Sequence, residues 1–287
     1  MIRTLETVAY AKLNLTLHVV GKRADGLHLL DSLTVFTQFG DHVRISTGHG
    51  NDRVDVSGPF AGAIDGENIV SKALFLYRGL TDTPDGLVIE IVKNIPVAAG
   101  LGGGSCDVGA VLRLLQKIVD QPLSAEALNT LATSVGADVP VCLSAQPARM
   151  KGIGELLSFI DPIPAHQIVL VNPGVGLSAG KVFQAFRGPF SGPVGVPGGF
   201  SDGEELFAHI GAEPRNDLLG TATRLAPVIS DVLTYLRGVP RARSVGMSGS
   251  GPTCFAVFSN GDGEALKSAL EGAREKGWWA TATAARA

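Results

Sequence analysis

The stretch Pro96-Val97-Ala98-Ala99-Gly100-Leu101-Gly102-Gly103-Gly104-Ser105 decides how this chain is read. It follows a strand-like segment in which Leu87, Ile89 and Ile91 alternate with Val88, Glu90 and Val92. A helical pattern starts near Ser105 and puts Val108, Leu112, Leu115 and Val119 on one stripe. Between Gly100 and Gly104 only Leu101 carries a Cβ, so backbone N–H groups can close around a bulky anion. The following helix aims its free N–H groups and positive end at the same point. A loop of this kind suits the phosphates of a nucleotide; a tight turn with close helix packing is the bland alternative. Two familiar phosphate loops fail on spacing. No Lys follows the glycines, and Ser105 stands where the third glycine of a dinucleotide fingerprint belongs.

At 287 residues the chain holds one large or two medium domains, and 45% apolar residues supply a sizeable core. A net charge of −3 gives no basic footprint for nucleic acid. Cys106, Cys142 and Cys254 are far apart and odd in number, which fits a reducing cytoplasm and no disulfide framework or cysteine metal site. The N-terminus has no basic stretch leading into an apolar run, and the apolar runs fall short of a membrane span. No membrane partner is expected, and the state expected is a monomer or weak homodimer.

Residues 8–20 alternate, with Leu13, Leu15, Leu17 and Val19 on one face and Lys12, Asn14, Thr16 and His18 on the other. Further strands are expected near 33–39, 42–47, 168–171 and 253–258, with a short one near Trp279. Helices are expected at 67–80, with Ile69, Ala73, Leu76 and Leu80 inward, and at 204–210, 215–224, 226–237 and 264–276. Ser124 is an N-cap for a helix that Gly136 ends. Asp138 then stands at a helix-to-strand junction, because Pro140 disfavours helix at Val139. Asp161-Pro162-Ile163-Pro164 reads as a linker dividing the chain into 1–160 and 161–287. Residues 188–200, rich in Gly and Pro, read as a loop or mobile lid. Strands and helices mix without βαβ alternation, which gives an α+β class.

Phosphoryl transfer needs a phosphate cradle, a positive charge near the transferring group, and a group that positions or deprotonates the nucleophile. The glycine loop, Lys12 and Asp138 meet these needs together; a lone Lys or Asp would read as a solvated side chain. Ser248 and Gly249, in a second glycine loop at 246–251, offer donors for a phosphate of the second substrate, or form a strand-entry turn. His28, after Asp25-Gly26, can bond a polar substrate group or be an ordinary turn residue. His18, His42, His49, His166 and His209 have no metal-ligand spacing.

Taken together, these residues resemble the GHMP kinase superfamily, through Pro96–Ser105 and Gly246–Gly251. Within it, Ala11-Lys12-Leu13-Asn14-Leu15-Thr16-Leu17, the turn Gly21–His28 and Gly136-Ala137-Asp138-Val139-Pro140 resemble the 4-diphosphocytidyl-2-C-methyl-D-erythritol kinases. The resemblance spans nearly the whole chain. It implies a two-domain GHMP kinase fold with the active site in the cleft between domains. It also implies ATP, as its Mg²⁺ complex, and a cytidine-diphospho sugar alcohol phosphorylated on its 2-hydroxyl, a step in the non-mevalonate synthesis of isoprenoid precursors. By the same resemblance Asp138 orients or deprotonates that hydroxyl and Lys12 stabilises charge. Pro96, Val97, Ala98, Ala99, Gly100, Leu101, Gly102, Gly103, Gly104, Ser105 and Cys106 wrap the ATP phosphates, and Asn68 lies near the adenine. Asn14, His28, Phe183, Ser248 and Gly249 face the substrate, His28 reading the cytosine edge. No protein ligand for the metal is assigned.

Three departures stand out. Leu27 takes the place of the family's Tyr, leaving Phe183 as the aromatic for cytosine. Cys106 stands where small residues such as Ala or Ser are usual; at a helix start it is either oxidation-sensitive or a quiet packed thiol. The loop 188–200 has no assignment. The alternatives are another GHMP-type kinase for a small alcohol such as homoserine or a mevalonate derivative, and a non-catalytic nucleotide sensor on the same fold.

Overall fold

The computed structural model describes residues 4–48, 50–64, 68–212 and 214–286; His49 and Glu67 therefore lie outside the described residues. In chain order the first half holds β1 (Thr4–Asn14), β2 (His18–Lys22), β3 (His28–Thr47), β4 (Arg53–Ser57), α1 (Ile69–Arg78) and β5 (Leu87–Val92). The helices α2 (Gly103–Ile118), α3 (Ala125–Val135) and α4 (Val139–Ser144) follow, then β6 (Ala148–Gly152) and β7 (Leu156–Phe159). The second half holds β8 (Gln167–Asn172), α5 (Ala179–Ala185), α6 (Gly203–Ile210), α7 (Leu219–Leu225), α8 (Val228–Arg237), β9 (Ser244–Met247), β10 (Cys254–Phe258), α9 (Gly263–Glu275) and β11 (Trp279–Ala284). The class is α+β.

The chain forms two compact units, each discontinuous: Met1–Ala11, Gly40–Val97 and Gly102–Ala145 make the first, and Lys12–Phe39, Ala98–Leu101 and Gln146–Ala287 the second. They cut the chain differently from the division at 160 read from the linker-like prolines. Strand pairing between residues distant in sequence, which composition does not reveal, sets these boundaries.

In the first unit, the C-terminal part of β3 pairs antiparallel with β5, and β4 runs parallel to β5. The alternation of β5 holds: Leu87, Ile89 and Ile91 are buried. Helix α2 packs against α1 and α4, and Val108, Leu112, Leu115 and Val119 are all buried as their spacing predicts. The inward face of α1 differs from expectation. Asn68 caps the helix through a bond from the Val70 N–H, and the core face is Val70, Ala73, Leu74 and Tyr77. Leu80 lies beyond the helix and is 58% exposed. The i, i+3, i+4, i+7 series starts one residue later than the sequence suggested, and Tyr77 fixes it by donating to Gln116 Oε1 at 2.6 Å.

In the second unit, β2 pairs with the start of β3, which pairs with β6, and β6 with β7, all antiparallel. A separate four-stranded antiparallel sheet has the order β11-β8-β10-β9. Its core gathers Val169 and Val171 of β8, Ala256 and Phe258 of β10, and Ile229, Val232, Leu233 and Leu236 of α8. Helix α5 and strands β4, β6 and β7 escaped the sequence reading, being short or lacking clean alternation. The segments 33–39 and 42–47 are one continuous strand, β3. The loop 188–200 is strapped down. Ser191 N–H donates to Val19 O and Val194 N–H to Asp31 Oδ2, Gly198 O accepts from Asp161 N–H, and Phe200, with 1% exposure, is core. Among the described residues no helix is long and apolar enough to cross a membrane.

Candidate active site

The second unit builds one polar wall. Strand β1 ends at Asn14, and the N–H groups of both Leu15 and Thr16 turn to Leu33 O, which breaks the alternation expected over 8–20. Lys12, Asn14 and Thr16 are consequently enclosed with the leucines between them. Lys12 N–H donates to Leu101 O at 3.0 Å, which ties the lysine to the end of the glycine loop.

The orientation of the Asn14 amide follows from its neighbours. Ser32 Oγ donates to Thr16 O at 2.5 Å, and Thr34 Oγ1 donates to Met150 Sδ at 3.0 Å. Both hydroxyl protons are spent, so both oxygens accept from Asn14 Nδ2, at 2.7 and 3.1 Å. Asn14 Oδ1 is left buried with no hydrogen-bond partner, an acceptor waiting for a hydroxyl or amine. Ser32 and Thr34 were missed from sequence. Their signal is two hydroxyl residues, two apart, in the run Ser32-Leu33-Thr34-Val35-Phe36.

Gly100 is held by the second glycine loop. Its φ is 74°, and a Cβ there would lie 2.4 Å from Ser248 O, so no other residue fits. Ser248 Oγ donates to Gly100 O at 2.9 Å and accepts from Asn14 N–H at 3.2 Å. Fully buried and so engaged, Ser248 serves as a clip between two loops instead of pointing a hydroxyl at a phosphate. Gly249 lies beside the clip, and Asn216 Nδ2 anchors Met247 O and Gly249 O, both at 2.8 Å. Asn216 carries no motif that would mark it in the sequence.

The turn before His28 holds itself. Arg23 and Asp25 pair at 2.7 Å, Asp25 Oδ1 accepts from Leu27 N–H, and Arg23 N–H closes on Leu27 O. Leu27 is left 47% exposed. His28 stacks on Phe183 with ring centroids 5.5 Å apart and 27° between planes, and meets Phe186 edge-on at 5.7 Å. Burial, with Lys22 nearby, holds the His28 imidazole below the usual histidine range, so it is neutral at pH 7. A neutral imidazole offers one donor and one acceptor.

In the first unit, Gly102 is the N-cap of α2, so Gly103, Gly104 and Ser105 form its opening turn, two residues earlier than the sequence suggested. The N–H groups of that turn have no acceptor within the helix. Beneath it lies a buried cluster: Lys93 Nζ donates to Asp107 Oδ2 at 2.7 Å and also to Asp41 Oδ2. Burial pushes the Asp107 carboxyl up to about 8, and Lys93 offsets this only in part. Burial alone would lower Lys93; the two carboxylates outweigh it and raise it. Asn68 spends Oδ1 on the α1 cap. Asp138 begins α4, with Pro140 in the first turn and no cap bond from its carboxylate to the helix. The expected helix-to-strand junction is therefore a helix-to-helix junction. Proline is accommodated in a first turn, where its missing N–H would have no partner anyway. Lys12 belongs to the second unit and Asp138 to the first.

Residues 68–146 match the N-terminal domain of the GHMP kinases, and residues 200–276 match their C-terminal domain. A 4-diphosphocytidyl-2-C-methyl-D-erythritol kinase of Paramagnetospirillum magneticum is 43% identical over 94% of this chain and 95% of its own length. One of Ruegeria pomeroyi is 44% identical over 96% and 97%. The chain belongs to this kinase family. A crystal structure of a 4-(cytidine 5′-diphospho)-2C-methyl-D-erythritol kinase superposes with a TM-score of 0.80 at 31% identity, over 99% of this chain and all of that one. A homoserine kinase from Cytophaga hutchinsonii superposes at 0.72 with 15% identity, over 99% of this chain and 94% of its own, a likeness of fold alone. The protein is thus an ATP-dependent small-molecule kinase of isoprenoid-precursor synthesis. Within this kinase, the polar wall, the glycine loop and the His28 turn are the parts that the sequence resemblance singled out.

Proposed function

We propose that this kinase transfers the γ-phosphate of ATP to the 2-hydroxyl of 4-(cytidine 5′-diphospho)-2-C-methyl-D-erythritol. The observation that carries the choice of alcohol is the His28–Phe183 pair. A neutral imidazole beside an aromatic ring suits a cytosine, which needs a stacking surface and a donor–acceptor edge; homoserine or mevalonate would use neither. Asn14 Oδ1, buried and without a partner, supports the same reading as the acceptor for a hydroxyl of the sugar alcohol.

In this reading the opening turn of α2 and the glycines before it hold the ATP phosphates, with Mg²⁺ arriving on the nucleotide. Asp138 orients or deprotonates the 2-hydroxyl, and Lys12 stabilises charge on the transferring group. The hydroxyl is tertiary and poorly acidic, so alignment and charge stabilisation carry the rate. The substrates are soluble anions, which fits a cytoplasmic enzyme. ADP release from Mg·ATP, measured with the cytidine-diphospho alcohol beside free methylerythritol phosphate, homoserine and mevalonate, tests the proposal. Activity confined to the first is expected. Turnover of another alcohol instead would overturn the choice of acceptor, and no turnover of any would favour a nucleotide sensor.

A further inference from the structure

We propose that Cys106 and Cys142 form a reversible intramolecular disulfide that brakes the kinase. The two sulfurs lie 3.3 Å apart in the first unit, both buried and not joined in a disulfide. They are held there by packing. A Cβ on Gly109 would sit 2.5 Å from Cys142 O, so only glycine lets the α4 backbone come this close to α2. One turn further along α2, Arg113 Nη1 donates to Cys142 O at 2.7 Å and Leu143 O at 3.0 Å. Gly109 and Arg113 thus pin the end of α4, and Cys106 is one turn before Gly109 on the same helix. Two thiols fixed side by side react as if at very high concentration.

The oxidant is a small hydroperoxide. One sulfur, as thiolate, attacks the O–O bond and becomes a sulfenic acid, releasing the alcohol or water. The second thiol then displaces hydroxide from that sulfur, and the S–S bond forms with loss of water. Both sulfurs are oxidised by one electron each and the peroxide oxygens are reduced. A dithiol reductant reverses the step.

The bond must close the sulfurs to about 2.05 Å. The α4 side is pinned by Arg113 and Gly109, so the displacement falls on the opening turn of α2, which contains Gly103 and Gly104. That turn holds the phosphates in the function proposed above, on which the braking, though not the bond, rests.

The test treats the reduced full-length protein with hydrogen peroxide, then counts thiols after denaturation, maps linked peptides and follows ATP turnover. The count is expected to fall from three to one, with Cys106 linked to Cys142, a loss of turnover of about tenfold or more, and recovery in dithiothreitol. Cys142→Ala cannot close the bond, so it should give no linked peptide and keep its turnover under the same dose. An unchanged thiol count, an equal loss of turnover in Cys142→Ala, or full turnover by the cross-linked protein would overturn the proposal. If the reduced enzyme turned over none of the alcohols, the function would fail while the thiol count still decided the bond.

Discussion

Replacing Lys93 by Met removes the one cation from a buried cluster that keeps both carboxylates. Lys93, Asp41 and Asp107 have side-chain exposures of 5%, 0% and 6%, so solvent screens none of them. Asp41 keeps two backbone donors, Asn94 N–H at 2.5 Å and Ile95 N–H at 2.7 Å. Asp107 has no replacement, and its Oδ1 already lacks a partner. Asp107, raised to about 8, is mostly protonated at pH 7, so the variant there loses chiefly the Lys93–Asp41 contact. The full cost of a broken buried pair, about 3–5 kcal/mol, is expected at pH 9, where the parent's Asp107 is ionised. The pH dependence has a definite sign. Asp107 is raised above its ordinary 3.8 to about 8, so its contribution is fully present below 3.8 and is lost as pH rises through about 8. Without Lys93 the carboxyl rises further. Above pH 8 the variant therefore goes on losing stability after the parent has stopped, by about 1.4 kcal/mol per pH unit. Urea unfolding of both proteins at pH 7 and pH 9 measures the gap, and adding Asp107→Asn to the variant should recover part of it. A gap at pH 9 below about 1 kcal/mol, within the range of ordinary substitutions, or one that narrows from pH 7 to pH 9, would refute the reasoning.

Further outcomes follow from the site. Asp138→Ala should lower kcat by about 10²–10⁴ while ATP affinity, read by calorimetry, changes little. Leu27→Tyr, on an exposed turn, should restore a stacking surface and tighten the cytidine alcohol by about 1–3 kcal/mol; an unchanged KM would place the base elsewhere. Gly100→Ala forces a Cβ to 2.4 Å from Ser248 O at a φ of 74°, so it should lose ATP turnover and melt lower than wild type. His28 is lowered, and its neutral form should be the one that binds. KM for the alcohol should then stay flat from pH 8 to 7 and rise as pH falls below the usual histidine range, and the rise should vanish in His28→Gln.

Local chemistry was legible without coordinates wherever a few adjacent residues settle the outcome. The glycine loop, the Ser124 cap, the α2 stripe and the alternation of β5 depend on i to i+4 neighbours, which periodicity and side-chain type fix. The Asp25-Gly26 turn belongs with them, since its own side chains close it. Boundaries were less legible. The inward stripe of α1 shifted by one residue because a distant glutamine claims Tyr77, and Asp138 proved to sit between two helices because proline is at home in a first turn.

Periodicity and motif alone reached the α+β class and a candidate phosphate cradle, and the resemblance of those motifs to the GHMP kinases supplied the kinase, because a phosphate cradle is made of backbone and needs few side chains to specify it. Tertiary structure alone decided which polar atoms are left over. Asn14 Oδ1 is an open acceptor only because Ser32 and Thr34 spend their protons elsewhere. Ser248 is a clip only because Gly100 O comes within reach. Cys106 and Cys142, 36 residues apart in sequence, are neighbours only because Gly109 lets two helices touch. Hydrogen-bond satisfaction and close packing are sums over residues far apart in the chain, and no local pattern of sequence records them.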